Sequence, residues 1–76
     1  MRNMTIQYYV VYERAEDGGW GAYVPDLPGV GVVGYSTRDE ARESIRQAIR
    51  MQIAGLREDG LPIPTPSGEF IEVDAA

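Results

Sequence analysis

Between Thr5 and Arg14 the chain carries apolar residues in both alternating sets: Ile6, Tyr8, Val10 and Tyr12 in one, Tyr9 and Val11 beside Gln7 and Glu13 in the other. β-Branched and aromatic residues at this density predict a strand. Apolar positions on both faces predict that both are at least partly covered. Glu16-Asp17-Gly18-Gly19 then predicts a hairpin, because Asp-Gly and Gly-Gly tolerate the positive φ of primed turns. Trp20 to Val24 reads as the second strand, and Pro25 ends it because proline has no N–H for a ladder. Asp26-Leu27-Pro28-Gly29 is a second turn, with Pro28 presetting φ and Gly29 able to turn left-handed. Val30 to Tyr35 is the third strand, and Gly31 and Gly34 within it mark a bulge or close packing against a helix.

After Tyr35 the period changes from two to 3.6. Thr37-Arg38-Asp39-Glu40 fits a capping box, so a helix is predicted to begin at Ser36 or Thr37. Asp39 and Glu40 complement the positive end of its dipole. Ala41, Ile45, Ala48, Ile49, Gln52, Ile53 and Leu56 form one stripe at helical spacing, with Gln52 its polar member. Gly55 at the stripe's edge costs about 1 kcal/mol against Ala, which predicts close approach to the sheet. Gly60 is the expected left-handed terminator. The alternate prolines of Leu61-Pro62-Ile63-Pro64-Thr65-Pro66 predict an extended run. Glu69 to Val73 reads as a last short strand.

The order β-β-β-α-β predicts an α+β fold, a two-layer sandwich with one helix on one face of the sheet. The last strand is expected to lie parallel to one of the first three, reached by a right-handed crossover. A single helix leaves the other face to water or a partner. Tyr9, Val11, Tyr23 or their neighbours are expected there, and strand register decides which set it is.

Seventy-six residues make one domain, residues 1–76, with a thin core. The absence of Cys excludes disulfides, and the absence of Cys and His together excludes the common zinc sites. Oligomerisation is the remaining way to reinforce so small a domain, so a homodimer or higher oligomer is expected. Twelve acidic against seven basic residues, all arginine, give a net charge of −5. That balance opposes general nucleic-acid binding and permits steering toward a basic protein, though mild acidity is also ordinary for a domain of this size. No apolar run approaches the roughly 18 residues that span a bilayer. Met1-Arg2-Asn3-Met4 leads directly into the strand pattern without a signal-peptide core, so the chain reads as cytoplasmic.

Candidate chemistry is sparse. Ser36, Ser44 and Ser67 have no His or Lys in the chain to activate them. Gly29, Gly31 and Gly34 lack the Lys-Ser/Thr of a phosphate loop. Metal-dependent nuclease chemistry needs converging carboxylates. Glu13, Asp26, Asp39, Glu40, Glu72 and Asp74 are instead spread over a strand end, a turn, a cap and the last strand. No catalytic, cofactor-binding or metal residue is therefore expected. Arg42, Arg46 and Arg50 recur at i, i+4, i+8. They read either as a solvated face paired with Asp39 and Glu43, or as a contact for an acidic patch on another subunit. Tyr8, Tyr9, Tyr12, Trp20, Tyr23 and Tyr35 crowd the strands, where Arg14 is the sole cation. Core packing and a protein interface suit that set better than stacking of RNA bases. The candidate interface is Tyr9, Val11, Tyr23, Arg42, Arg46 and Arg50.

Val-Pro-Asp-Leu-Pro-Gly-Val at 24–30, Gly-Tyr-Ser-Thr-Arg-Asp-Glu-Ala at 34–41 and Gly-Leu-Pro-Ile-Pro-Thr-Pro at 60–66 follow an acidic hairpin and an aromatic strand. In this order and separation they resemble the HicB antitoxin family, over about Ile6 to Val73. The resemblance implies a fold like half of ribonuclease H and a role as the antitoxin of a toxin–antitoxin pair. The implied partner is HicA, a small basic ribonuclease that degrades mRNA and whose catalytic His the antitoxin blocks. Many members also carry a C-terminal helix-turn-helix or ribbon-helix-helix segment that binds DNA. No such segment is present up to Ala76, so no direct DNA binding is expected from this chain alone. The implied function is a non-enzymatic antitoxin acting by occlusion. The alternatives are a self-assembling orphan domain with a structural or ligand-binding role and, from a third class, a residual metal-dependent nuclease.

Overall fold

The first hairpin closes on Asp17 and two glycines. In a computed structural model that describes residues 5–75, Gly18 takes φ +88°. The amide of Gly18 donates to the carbonyl of Ala15 at 2.9 Å, and the Ala15 amide donates to Gly19 at 2.8 Å. Asp17 Oδ1 accepts from the Gly19 amide at 2.9 Å. Met1–Met4, read above as leading into the first strand, and Ala76 lie outside the described residues.

The hairpin joins β1 (Val11–Arg14) to β2 (Trp20–Tyr23), and β2 pairs with β3 (Gly31–Tyr35). The sheet is antiparallel, in the order β1-β2-β3. The first strand is shorter than the expected Thr5–Arg14, and the register explains why. Val11 faces Tyr23, so continuing the ladder would set Tyr9 against Pro25, which has no N–H to give. The Val24 amide is already donated to Val30 across the turn, at 3.2 Å. Residues 5–10 continue without a ladder, outrunning the second strand. Opposite Gly21, β3 carries two residues, Val33 and Gly34, because Trp20 faces Tyr35 while Ala22 faces Val32. Gly34 absorbs this bulge at φ +85°.

The helix α1 runs Arg38–Glu58 from an N-cap at Thr37, and the capping box is complete. Thr37 Oγ1 accepts from the Glu40 amide at 3.1 Å, and Glu40 Oε1 accepts from the Thr37 amide at 3.0 Å. At the other end Gly60, φ +67°, lets its own amide reach Arg57 and the Leu61 amide reach Leu56. That pair of bonds is a Schellman motif. Of the expected stripe, Ala41 and Ile45 are buried, and Ala48, Ile49, Ile53 and Leu56 are half-buried. Gln52 does not belong to it: its side chain is exposed, as its hydration demands. Nor does Gly55 mark a close approach, since a Cβ there would meet nothing within 4 Å. The tight contact is at Gly21, where a Cβ would fall 2.8 Å from the Val32 carbonyl oxygen.

The core consists of Ala22, Val24, Leu27, Val30 and Ile45, rimmed by Tyr8, Val10, Tyr12, Val32, Ala48 and Ile49. Its deepest aliphatic side chain from outside the helix belongs to the turn: Leu27 is 1% exposed. Leu27 donates its amide to Val24 and accepts from Val30. The turn thus folds inward, plugging the end of the sandwich beneath the helix.

The expected last strand does not form within the chain, although the α+β arrangement of sheet and covering helix does. Residues 61–66 cross the end of the sheet. The Tyr8 hydroxyl donates to the Pro64 carbonyl, and Ser67 donates both its amide (3.3 Å) and hydroxyl (2.7 Å) to Asp26 Oδ1. Pro62, Pro64 and Pro66 have no N–H for a ladder. After these anchors the chain passes beside Tyr9, and residues 69–73 stay exposed and outside the sheet. Among the described residues no helix is long and apolar enough to cross a membrane.

Candidate protein-interaction surfaces

Register settles which side chains the helix leaves bare. Tyr12 faces Ala22 on the core side, so the neighbouring pair Val11 and Tyr23 faces outward. Tyr9, two residues before Val11, shares that side. Tyr9 is 55% exposed, Tyr23 41% and Val33 85%. Phe70 extends the patch, its ring centroid 5.6 Å from that of Tyr9 in an edge-on arrangement. Three of the sequence candidates, Tyr9, Val11 and Tyr23, therefore lie together on one open apolar face. Val33 and Phe70 complete it. The sequence signal for Val33 was the alternation of β3, obscured by the bulge at Gly34.

Arg42, Arg46 and Arg50 lie elsewhere. They line one flank of α1, on the helix side of the sheet, so the six candidates divide between two surfaces. Together with Arg57 they edge an open groove of about 1030 Å³. Its opposite wall is Thr5 to Tyr8 and Val10, which make no ladder, with Tyr12 of β1, and its floor is Ile45, Ile49 and Ile53. Among the described residues no strand lies alongside β1 to close the groove. Arg46 Nε approaches Glu43 at 3.9 Å, an exposed pair of small energetic consequence. The expected pair of Asp39 with Arg42 does not form. Among the described residues Arg42, Arg50 and Arg57 have no carboxylate partner. Arg14 and Arg38 are occupied otherwise, stacked 5.3 Å from the Trp20 ring centroid and 4.3 Å from that of Tyr12.

The carboxylates stay dispersed. Asp26 holds Ser67, Glu40 closes the cap and Asp17 closes the hairpin. Among the described residues no three of them gather as metal ligands would. Ser44 donates its hydroxyl to Tyr35 at 2.7 Å, a link between α1 and β3.

A sequence model described as the HicB-like antitoxin of bacterial toxin–antitoxin systems matches residues 8–74. The chain belongs to the HicB-like antitoxin family. The match takes in every element of the HicB-like fold described above, from the wall of the groove to the exposed arm. A UPF0150 protein of Thermoplasma acidophilum is 37% identical over 70 residues, which cover 92% of this chain and 100% of that protein. A UPF0150 protein of a Synechocystis strain is 37% identical over 62 residues, 78% of this chain and 85% of that protein. No solved structure matches the chain at a significant level.

Proposed function

We propose that this chain is a non-enzymatic antitoxin that binds a small, basic, HicA-type mRNA-cleaving toxin in the cytoplasm and occludes its active site. The observation that carries this reading is the open apolar face formed by Tyr9, Val11, Tyr23 and Val33, on a member of an antitoxin family. Exposed aromatic and aliphatic side chains grouped on one flat face are what a protein interface uses. The net charge of −5 favours encounter with a basic partner. The same reading includes self-association, with the arginine groove as a second surface distinct from the toxin-binding face.

The test is co-expression of the full chain with a small basic HicA-type toxin. The wild-type chain restores growth and co-purifies with the toxin. Val33→Arg places a cation on the open face, on a side chain already 85% exposed, so it leaves the fold intact while it repels a basic partner. Rescue that survives this substitution, or a wild-type chain that gives neither rescue nor complex, overturns the proposal.

A further inference from the structure

The segment after Ser67 reads Gly-Glu-Phe-Ile-Glu-Val-Asp, with acidic and large apolar residues interspersed. Phe70, Ile71 and Val73 are 88%, 73% and 79% exposed. Chains as small as this do not ordinarily hold three large apolar groups within four residues in water without a partner. Unlike residues 61–66, the segment has an N–H at every position, yet among the described residues its backbone makes no backbone–backbone hydrogen bond.

The arginine groove has the matching properties. Its floor is aliphatic, its helix flank carries Arg42, Arg50 and Arg57 without carboxylate partners among the described residues, and its sheet wall, residues 5–10, also lacks a ladder among the described residues. As a strand the arm turns Glu69, Ile71 and Val73 to one side, so two aliphatic side chains and a carboxylate find their complements in the floor and arginine rim of one trough. An edge strand with unsatisfied N–H and C=O groups is a template for added strand.

The chain's own arm does not lie in its own groove. Ser67 is held on Asp26, and Phe70 packs on Tyr9, on the face away from the helix, whereas the groove opens on the Tyr8 side. To enter it the arm would have to reverse past both anchors. Once Phe70, 88% exposed, leaves Tyr9, residues 68–75 extend outward by roughly 25 Å at about 3.3 Å per residue, far enough to reach a neighbouring molecule.

We propose that two copies of this chain exchange arms: the acidic, apolar arm of each docks in the arginine groove of the other and adds a strand beside residues 5–10. This rests on the self-association in the reading above, and it names the surfaces that produce it. Reciprocity makes the contact self-limiting, since a two-fold pair occupies both grooves.

Charge exchange between full-length chains tests it. One variant carries Arg46→Glu and Arg50→Glu in the groove; the other carries Glu69→Arg and Glu72→Arg in the arm. All four positions are exposed, so circular dichroism should show both variants folded. Each alone confronts like charges at both junctions, and its dimer dissociation constant, by analytical ultracentrifugation, should rise roughly tenfold or more. An equimolar mixture sets acidic groove against basic arm and basic groove against acidic arm, so dimerisation returns to the wild-type level. A mixture that stays monomeric while the wild type is a dimer refutes the exchange and leaves self-association standing. A wild type that is monomeric throughout the concentration range refutes both. Toxin binding is read separately by co-purification and survives either result.

Discussion

Replacing Leu27 by Ala is the sharpest measure of how this fold is held together. The substitution keeps both turn hydrogen bonds, because the Leu27 amide and carbonyl make them. It removes three carbon groups from a side chain that is 1% exposed and packs in the cluster with Val24, Val30 and Ile45. Transfer alone accounts for about 2.4 kcal/mol at about 0.8 kcal/mol per buried group. The cavity left behind adds to that, since the flanking turn is tied to β2 and β3 and collapses only partly. The expected cost is about 3 kcal/mol, within the range of about 2–5 kcal/mol for buried Leu→Ala. A domain of this size has roughly 4–11 kcal/mol in total, so the variant loses a large share of it. In urea, followed by circular dichroism, the midpoint should fall with an unchanged slope, and Tm should drop by about 12–24 °C. Val33→Ala, at an 85% exposed strand position, is the control and should shift stability by less than about 0.5 kcal/mol. If Leu27→Ala costs under about 1 kcal/mol, or no more than the control, the turn does not carry the core and the reasoning is wrong.

The remaining substitutions probe local chemistry. Gly55→Ala should stabilise the chain by about 0.5–1 kcal/mol, because Gly55 lies inside the helix with open space where a Cβ would go; a lower thermal midpoint would reveal an unseen neighbour. Thr37→Ala should cost about 1 kcal/mol by removing the oxygen that accepts from the Glu40 amide, and Thr37→Ser should recover most of it, with both read from urea midpoints.

The turn between β2 and β3 shows how far the chain's own pattern reaches. Pro25, Pro28 and Gly29 announce a turn, and one forms there, with Gly29 at φ +88°. Nothing in the local pattern announces that Leu27 points inward, because a four-residue turn has no periodicity from which a face can be read. Similarly, Asp26 is an ordinary turn acid until Ser67, distant in sequence, donates to it. The capping box at Thr37 and Glu40 was legible because its partners are three residues apart. Gly55 was misread because a helical glycine carries the same signal whether something approaches it or not. Alternation groups Tyr9 with Val11, but only register shows which side that pair and Tyr23 take, and Val33 was hidden by the bulge at Gly34.

The sequence by itself determined everything governed by short-range chemistry: three strands, two turns, one capped helix, its Schellman end, and the family to which the residues at 24–30 and 34–41 belong. The tertiary structure decided what depends on register and on long-range contact. It sent Tyr9, Val11 and Tyr23 to one face and the arginines to another. It placed Leu27 in the core, and it held residues 69–73 out of the sheet. The physical reason is that strand pairing and chain anchoring join residues far apart in sequence. One proline opposite Tyr9, and one Asp26–Ser67 contact at the sheet's end, determine where the groove opens and where the arm emerges.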